Sequence, residues 1–445
     1  MIASSKSVHG LASRAALGAA LALGVVAGGV MVATPAMAQK KSKQADLKLS
    51  PEFQKLAAPL QTKLNDAQKR SDVVAAKGNP QALGTALSAE KTELDQLFGA
   101  IGNEDDRLVA GQFAVTLGTL AQDPAIQRRG IDAMLQSGKA PPEETPKLKF
   151  YSGQLAYQAK DYAAARKSLQ EAIDAGYTEN DAQALLAEAY MSDPQTASQG
   201  VAMLQKAIQQ KQQSGTAAPE TWYKRGLLAA YKAKTPGPAS TFAAGLVQNY
   251  PTQQNWGVAI TIIREISGIP AQDMVDLLRL MGRTNSYNEA RDYLEYIEAA
   301  DPRRLPGEVM KIIEAGTASG KLSASDPTVA DARKVASGRI AADKASLPSL
   351  ERDAKAANAT AVTALAGGDA FLSYGEAAKA EALYTAALSK SGVDQGRALT
   401  RLGIAQADQG KYAEAQANFA KITGPRKPIA DLWSAYAASK AKPAG

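Results

Sequence analysis

Small and bulky residues recur at a fixed spacing in this chain, and the recurrence limits the fold more than any other feature. Gly403 precedes a turn at Gly410, a second small residue at Ala415 and a ring at Phe419. The same order occurs thirty-five residues earlier, at Gly368, Gly375, Ala380 and Tyr384. A small residue lets two helices approach closely, and the bulky residue fills the space beside them. The spacing therefore predicts closely packed helix pairs that repeat along the chain.

Four further windows carry the pattern. Their residues are Gly153, Tyr162, Ala165, Leu169, Ala172 and Ile173; then Ala187, Tyr190, Leu204, Ala207 and Ile208; then Trp222, Gly226, Phe242 and Leu246; and finally Leu278, Tyr287, Ala290, Leu294 and Ile297. The six windows resemble the tetratricopeptide repeat, a helical hairpin of about 34 residues. The resemblance covers 147 to 304 and 361 to 427. It departs from the pattern at Pro236 and Pro238, which shorten one connection, and at Leu278, where a small residue is usual.

The remaining sequence also has a helical pattern, and no stretch alternates apolar and polar residues long enough to predict a sheet. We predict an all-α fold, a superhelical solenoid of antiparallel helix pairs. The predicted order is a signal peptide (1–38), an N-terminal helical region with a long hairpin and a possible diverged repeat (39–146), a repeat block (147–304), a helical connector (305–360), C-terminal repeats (361–427) and a final helix and tail (428–445). Before and between the six windows, helices are predicted over 52–76, 81–98, 104–121, 125–137, 252–267, 306–317 and 327–345.

The first residues have the composition of an export leader. Lys6 and Arg14 precede an uncharged apolar run, and Ala36-Met37-Ala38 follows it as a small-residue cleavage site. Cleavage between Ala38 and Gln39 is predicted, which places the mature chain in the bacterial periplasm. The alternative is an uncleaved leader that anchors the chain to the inner membrane, because the apolar run nearly spans a bilayer.

Composition excludes several kinds of chemistry. The chain has no cysteine and a single histidine, which is His9 in the leader. Thiol nucleophiles, disulfides, zinc sites of the Cys/His type and histidine-based triads are therefore excluded in the mature chain. No metal, cofactor or catalytic residue is predicted. The basic residues are interleaved with acids, so nucleic acid is not an expected partner.

The resemblance implies a binding groove, because the first helices of such repeats line the concave side of the stack. The positions that point into the groove carry aromatic, amide and guanidinium groups, which suit an extended peptide. They are Phe150, Gln154, Tyr157, Gln158, Glu188, Met191, Tyr223, Leu227, Tyr231, Arg279 and Arg283. For each tyrosine of the set, packing against the next repeat is an equally open interpretation.

Two arginine pairs, Arg128-Arg129 and Arg303-Arg304, suit an anionic glycan or a lipid head group. Each is also expected at a helix end or turn, where solvated arginine is ordinary. The predicted function is a non-enzymatic periplasmic scaffold that binds protein or peptide partners of the cell envelope, in envelope assembly, secretion or polysaccharide export. The alternative is an envelope enzyme that cleaves glycans, or its accessory subunit, built on a helical solenoid. That alternative needs a separate globular module with a glutamate of raised pKa, for which the sequence leaves little room.

Overall fold

The structure, a computed structural model, describes residues 47–441, and the predicted leader with its Ala38/Gln39 cleavage site lies outside this range. The described range is all-helical, as predicted, and contains no β-strand. None of its helices is long and apolar enough to cross a membrane. The helices are α1 (Pro51–Ala67), α2 (Ser71–Ala75), α3 (Pro80–Ala86), α4 (Ser88–Gly99), α5 (Glu104–Leu120), α6 (Pro124–Gln136), α7 (Thr145–Gln158), α8 (Tyr162–Asp174), α9 (Ala182–Met191), α10 (Ala197–Gln213), α11 (Glu220–Lys232), α12 (Pro236–Asn249), α13 (Gln253–Ile266), α14 (Ala271–Thr284), α15 (Ala290–Ala300), α16 (Pro306–Ala318), α17 (Pro327–Lys355), α18 (Ala361–Tyr374), α19 (Ala377–Leu388), α20 (Gln395–Ala407), α21 (Tyr412–Phe419) and α22 (Lys427–Ala441).

The chain divides into two compact units between Ala189 and Tyr190. We call them unit 1 and unit 2. In unit 1, Phe53, Leu94 and Phe113 belong to one apolar core, and Met134 and Leu148 belong to a second. The observed division does not coincide with the boundaries predicted at 146, 304 and 360, which stay predictions.

The N-terminal region differs from the long hairpin predicted for it. Each predicted arm, 52–76 and 81–98, consists of two helices instead of one. Arg70 lies at the first break, and its guanidinium reaches across to the Glu90 carboxylate and to the Ala86 carbonyl beside the second break. The Arg70 guanidinium therefore connects the two helix breaks. The spacing of apolar residues in the sequence does not reveal such a contact. The predicted helices at 104–121, 125–137, 252–267 and 306–317 match α5, α6, α13 and α16 to within two residues.

Glycines on one helix of a hairpin pack against bulky side chains sixteen residues later on the next helix. A methyl group added to Gly403 would lie 2.5 Å from an atom of the Phe419 ring. Gly226, Gly368 and Gly153 meet Phe242, Tyr384 and Leu169 in the same way, at 2.2, 2.5 and 2.7 Å. Ala415, Ala380 and Ala165, twelve residues after three of these glycines, are fully buried. Four hairpins thus share one packing arrangement, at the positions where the sequence analysis placed the small residues.

Replacing Gly403 by leucine is expected to lower the free energy of unfolding by about 1–3 kcal/mol, because the added side chain overpacks the contact with Phe419. Urea unfolding followed by tryptophan fluorescence measures it, since Trp222, Trp256 and Trp433 all lie in unit 2. Gly338 is the matched control, because it is an exposed glycine within α17 with no atom within 4 Å of an added methyl group. Gly338→Ala should stabilise the unit by up to about 1 kcal/mol. Equal stability of the Gly403 variant and the parent would contradict the packing assignment.

The C-terminal helix of unit 2 returns to the middle of the unit. Helix α22 packs against α12 and also contacts α13 and α14, while α20 contacts α14. Ser240 of α12 donates a hydrogen bond to Asp431 of α22 at 2.8 Å. The Trp433 indole is fully buried and donates to the main-chain carbonyl of Asp276 at 2.8 Å. The last helices therefore occupy the side of α14 where a binding groove is predicted.

Candidate functional site

The predicted groove residues of unit 1 differ widely in accessibility. Phe150 is 1 % exposed, and its ring stacks on Tyr177 with 4.8 Å between centroids, so it belongs to the core. Gln154, Tyr157 and Glu188 are half-buried, and Gln158 is exposed. A partner can reach these four side chains of unit 1, but not Phe150.

The predicted groove residues on α11, and Met191 at the end of α9, also differ in accessibility. Tyr223 and Leu227 are 2 % and 1 % exposed, so they offer a partner almost no surface. Tyr231 is half-buried, and its hydroxyl donates to the Glu265 carboxylate at 2.6 Å, which helps raise the pKa of the tyrosine. Met191 is half-buried as well. Tyr231 and Met191 are thus the accessible members of this part of the set.

Helices α11 and α13 lie side by side in register. Near their N-terminal ends, the Asn255 side chain donates to Glu220, thirty-five residues earlier, at 2.8 Å. Near their C-terminal ends, Tyr231 donates to Glu265, thirty-four residues later. Between the two hydrogen bonds Leu228 and Val258 are each 39 % exposed. The two helices therefore present one shared face with exposed apolar side chains, which we call the α11/α13 face.

Arg279 was predicted to line the groove, and the structure places it in the interior instead. It is 1 % exposed and forms two hydrogen bonds with the Glu308 carboxylate, at 2.8 and 2.7 Å. It also donates to Asp276 at 2.9 Å. The second predicted arginine, Arg283, donates to Asp408, directly after α20, at 3.0 and 2.6 Å. Arg279 is therefore not accessible as a groove residue, and both arginines are paired with carboxylates of the same chain, on α16 for Arg279 and directly after α20 for Arg283.

Asp276 is the centre of a buried ionic cluster. It is fully buried and accepts hydrogen bonds from Arg279, Arg401 and Arg426. Burial by itself raises the pKa of this carboxyl, but the three guanidinium groups outweigh it and hold the pKa well below its ordinary value. Around them lie further partners, namely Asp273, Glu308, Asp369 and Arg397. We call these eight side chains the Asp276 cluster, and its four acids balance its four arginines.

The sequence itself contains a signal for this cluster, because Asp276 and Arg279 interrupt the otherwise apolar run from Val275 to Met281. All residues of this run are buried in α14. Charged side chains in a fully buried helix are almost always paired. The pattern indicates that partners exist, but not that they are Arg401 and Arg426, which lie 125 and 150 residues further along.

Unit 1 has a cleft along the exposed side of α6, which we call the α6 cleft. Its volume is about 550 Å³, and its lining includes Phe98, Arg107, Arg128, Arg129 and Leu155. The lining extends along α6 from Pro124 to Gln136. Arg128 and Arg129 thus lie within a helix, and not at a helix end as expected, whereas Arg303 and Arg304 lie in the turn before α16. The Arg128-Arg129 pair therefore lines the α6 cleft.

The arginines of the α6 cleft are bound to carboxylates at its rim. The Arg129 guanidinium lies 3.9 Å above the Phe98 ring and donates to Asp95. Arg128 donates through Nη1 to Asp161 at 3.0 Å, and its buried Nε forms an ion pair with Asp132 at 3.6 Å. The Ala164 N–H and the Arg128 guanidinium hold the pKa of Asp161 below its ordinary value.

The same side of unit 1 shows no arrangement for a metal ion. Residues 47–441 contain no group of three or more side chains of the metal-binding types placed to hold one. Glu104, Asp105 and Asp106 all lie in the first turn of α5, where their charges face the positive end of the helix dipole. Asp106 also accepts hydrogen bonds from the main chain of Ser50 and Gly102, both at 2.9 Å.

Neither the models of known protein families nor the curated proteins contain a match to this chain. The described residues offer two accessible surfaces on which apolar and polar groups lie together, the α6 cleft of unit 1 and the α11/α13 face of unit 2.

Proposed function

We propose that this chain is a non-enzymatic scaffold of the periplasm, built as a tetratricopeptide-like solenoid of antiparallel helix pairs, that binds protein or peptide partners of the cell envelope. The observation that carries the proposal is the shared packing of four hairpins. In each, a glycine meets a bulky side chain sixteen residues later. A packing unit that recurs in this way is typical of repeat arrays, whose extended surfaces bind other proteins.

The contacts between α11 and α13 support the stacking of successive hairpins. Their paired hydrogen bonds join residues thirty-five and thirty-four positions apart, which is the length of one tetratricopeptide repeat. In such a stack the first helices of neighbouring hairpins lie side by side and create a continuous surface. The first helix that follows α11 is then α13, and not α14 as the sequence pattern of the sixth window predicts. On this surface Leu228 and Val258 are the apolar groups available to a partner.

The accessible residues, and not the whole predicted set, are assigned to partner binding. In unit 1 these are Gln154, Tyr157, Gln158 and Glu188, and in unit 2 they are Met191 and Tyr231. The buried members of the predicted set instead stabilise the packing of the helices; they are Phe150, Tyr223, Leu227 and Arg279. Arg283, which remains about 30 % exposed, is bound by Asp408.

Capture from intact cells tests the proposal. The chain is expressed with its own leader, crosslinked in cells and purified from the periplasmic fraction, and its partners are quantified by mass spectrometry. Two double variants are each expected to reduce the capture of partners at least tenfold. One combines Tyr157→Ala with Gln158→Ala in unit 1, and the other combines Leu228→Asp with Val258→Asp in unit 2. Anchor residues of an interface commonly contribute about 2 kcal/mol or more each.

Arg303→Ala combined with Arg304→Ala is the matched control, because both side chains are exposed and lie outside the proposed surfaces. Its capture should equal that of the parent. Circular dichroism of every variant shows whether the helices remain folded. The proposal fails if both surface variants, folded as the parent is, retain their partners, or if the chain does not reach the periplasmic fraction.

A further inference from the structure

We propose that the solvent-facing side of α17 between Ala330 and Ala345, which we call the α17 face, is a further docking surface of unit 2 and binds an acidic α-helix of a partner protein. The inference rests on the proposed function, because the occupant is a protein. It concerns another surface, because α17 contributes no residue to the predicted groove or to the α11/α13 face. Four cations of the α17 face carry the proposal, namely Arg333, Lys334, Arg339 and Lys344.

The cations of the α17 face differ from most arginines of unit 2 because no carboxylate binds them. Within residues 47–441, none of the four side chains forms an ion pair or a hydrogen bond. In contrast, Arg264, Arg291 and Arg397 each pair with an aspartate or a glutamate. Arg333 is half-buried and the other three cations of the face are exposed. The charge of the α17 face is therefore available to a ligand.

The acidic residues of the same part of α17 do not cancel this charge. Asp331 and Asp343 are the two acids between 327 and 349, and against the four cations they leave a net charge of +2. The Asp343 carboxylate already accepts a hydrogen bond from the Tyr374 hydroxyl at 2.6 Å. An excess of positive charge on an exposed surface attracts a negatively charged partner. Charge complementarity thus favours an acidic occupant of the α17 face.

A fifth cation, on the neighbouring helix α16, adds to the same charge. Lys311 donates to the main-chain carbonyl of Ser373 at 3.1 Å and has no carboxylate partner among the described residues. Burial lowers the pKa of the Lys311 ammonium, the Glu308 carboxylate offsets part of this, and the positive charges of Arg283 and Lys344 lower the pKa further. An anion bound beside Lys311 and Lys344 would relieve this repulsion.

The placement of the cations suits a second helix that lies along α17. Arg333 and Lys344 are eleven residues apart, which is about three helical turns and about 16 Å, so both lie on the same side of α17. A partner helix has the same rise per residue, so glutamates about three turns apart on it can meet both cations. The exposed side chains between them are small and allow two helix axes to approach to about 8 Å. They are Ser337, Gly338, Ala341 and Ala342.

The composition of the α17 face distinguishes an acidic helix from an anionic membrane. Helices that bind membrane surfaces combine cations with large apolar side chains that enter the lipid. The large apolar side chains exposed in residues 47–441 are Leu56, Val74, Leu228, Val258 and Val362, and none of them lies on α17. A lipid surface would gain charge contacts alone, whereas a partner helix gains both charge contacts and close packing.

Fluorescence anisotropy of the full chain tests the proposal with a labelled, alanine-based helical peptide of about twenty residues that carries one glutamate per turn. Saturable binding that weakens with added salt is expected. Arg333→Ala, Lys334→Ala and Lys344→Ala together, which we call the triple α17 variant, should weaken binding at least tenfold. A peptide with glutamine in place of glutamate should not bind. A peptide of the same charge with two central prolines, which prevent a continuous helix, should bind at least fivefold more weakly.

Two further variants separate docking on the α17 face from simple charge attraction. Ala341→Trp places a large ring in the middle of the face and leaves every charge in place, so it should also weaken binding at least tenfold. Lys232→Ala, Lys234→Ala and Lys421→Ala together remove the same number of positive charges from exposed positions outside the face and should leave binding unchanged. Circular dichroism shows whether each variant remains folded. Full binding by the Ala341 variant, or equal loss in the variant with three lysines replaced, would overturn the proposal.

Absence of saturation up to about 1 mM peptide, a dissociation constant too weak for a specific site, would also overturn it. So would binding of the parent to phosphatidylglycerol vesicles that the triple α17 variant loses while no acidic helix binds, which would identify a membrane as the occupant. The peptide assay uses the purified chain, so it depends neither on export nor on the α11/α13 face. A chain that captures partners in cells but binds no acidic helix contradicts this inference alone. A chain that binds the acidic helix but does not reach the periplasmic fraction contradicts the proposed function alone.

Discussion

Asp276→Ala is expected to lower the free energy of unfolding of unit 2 by about 3–5 kcal/mol, because it removes the central carboxylate of a buried ionic cluster. The carboxylate is fully buried, and Arg279, Arg401 and Arg426 donate to it. Without the Asp276 carboxylate, fewer negative charges lie near these buried guanidinium groups to balance their positive charges. Breaking a buried ion pair from one side leaves an uncompensated charge, which costs far more than the pair contributes to stability when intact.

Urea unfolding followed by tryptophan fluorescence measures the effect, because the three tryptophans lie in unit 2. Asp276→Asn keeps the size of the side chain and should cost nearly as much, which separates loss of charge from loss of volume. Arg291→Ala is the control, since it removes an ion pair whose arginine is 66 % exposed. It should change stability by less than about 1 kcal/mol. A small effect of both Asp276 variants would show that the cluster does not hold α20 and α22 in place.

The packing of the hairpins followed from the sequence because it depends on residues close together in the chain. Gly403 and Phe419 are sixteen residues apart, and a fixed spacing on two connected helices brings them into contact whatever the rest of the chain does. The predicted first residues of α5 and α16, at 104 and 306, agree with the structure, where the Asn103 side chain caps the start of α5 and Pro306 begins α16. Local chemistry thus determined the helices and their pairing.

The interior of unit 2 could not be predicted in this way. The contacts of Asp276 with Arg401 and Arg426 join residues 125 and 150 positions apart, and no spacing rule connects them. Arg279 satisfied the pattern of a groove residue, and α14 does direct it inward, but the return of α20 to α14 and of α22 to α12 covers that side. The α6 cleft was missed because it requires side chains from α4, α5, α6 and α7 together.

Acid is expected to destabilise unit 2 over a defined range of pH. Burial raises the pKa of Glu308, but the Arg279 guanidinium and the Tyr296 hydroxyl outweigh it and lower the pKa from 4.5 to about 2. A carboxyl whose pKa is lower in the folded state stabilises the fold fully above its unfolded pKa. The stabilisation is therefore complete above about pH 5 and is lost as the pH falls from about 4.5 towards 2. For Glu308 alone the loss is about 3 kcal/mol, and Asp276, whose pKa is also lowered, adds to it.

The urea midpoint of tryptophan fluorescence, measured at intervals from pH 6 to about pH 2.5, gives the profile. Glu308→Gln should be less stable than the parent at pH 6 and should show a smaller fall on acidification, because it no longer loses a charge there. Glu298→Gln replaces an exposed carboxylate of α15 and should follow the parent at every pH. If the Glu308 variant and the parent fall in parallel, the acid sensitivity belongs to other carboxylates and the Arg279–Glu308 pair is not its source. A profile that is flat in the parent would contradict the lowered pKa values of both Glu308 and Asp276, since linkage requires a group with a shifted pKa to make stability depend on pH.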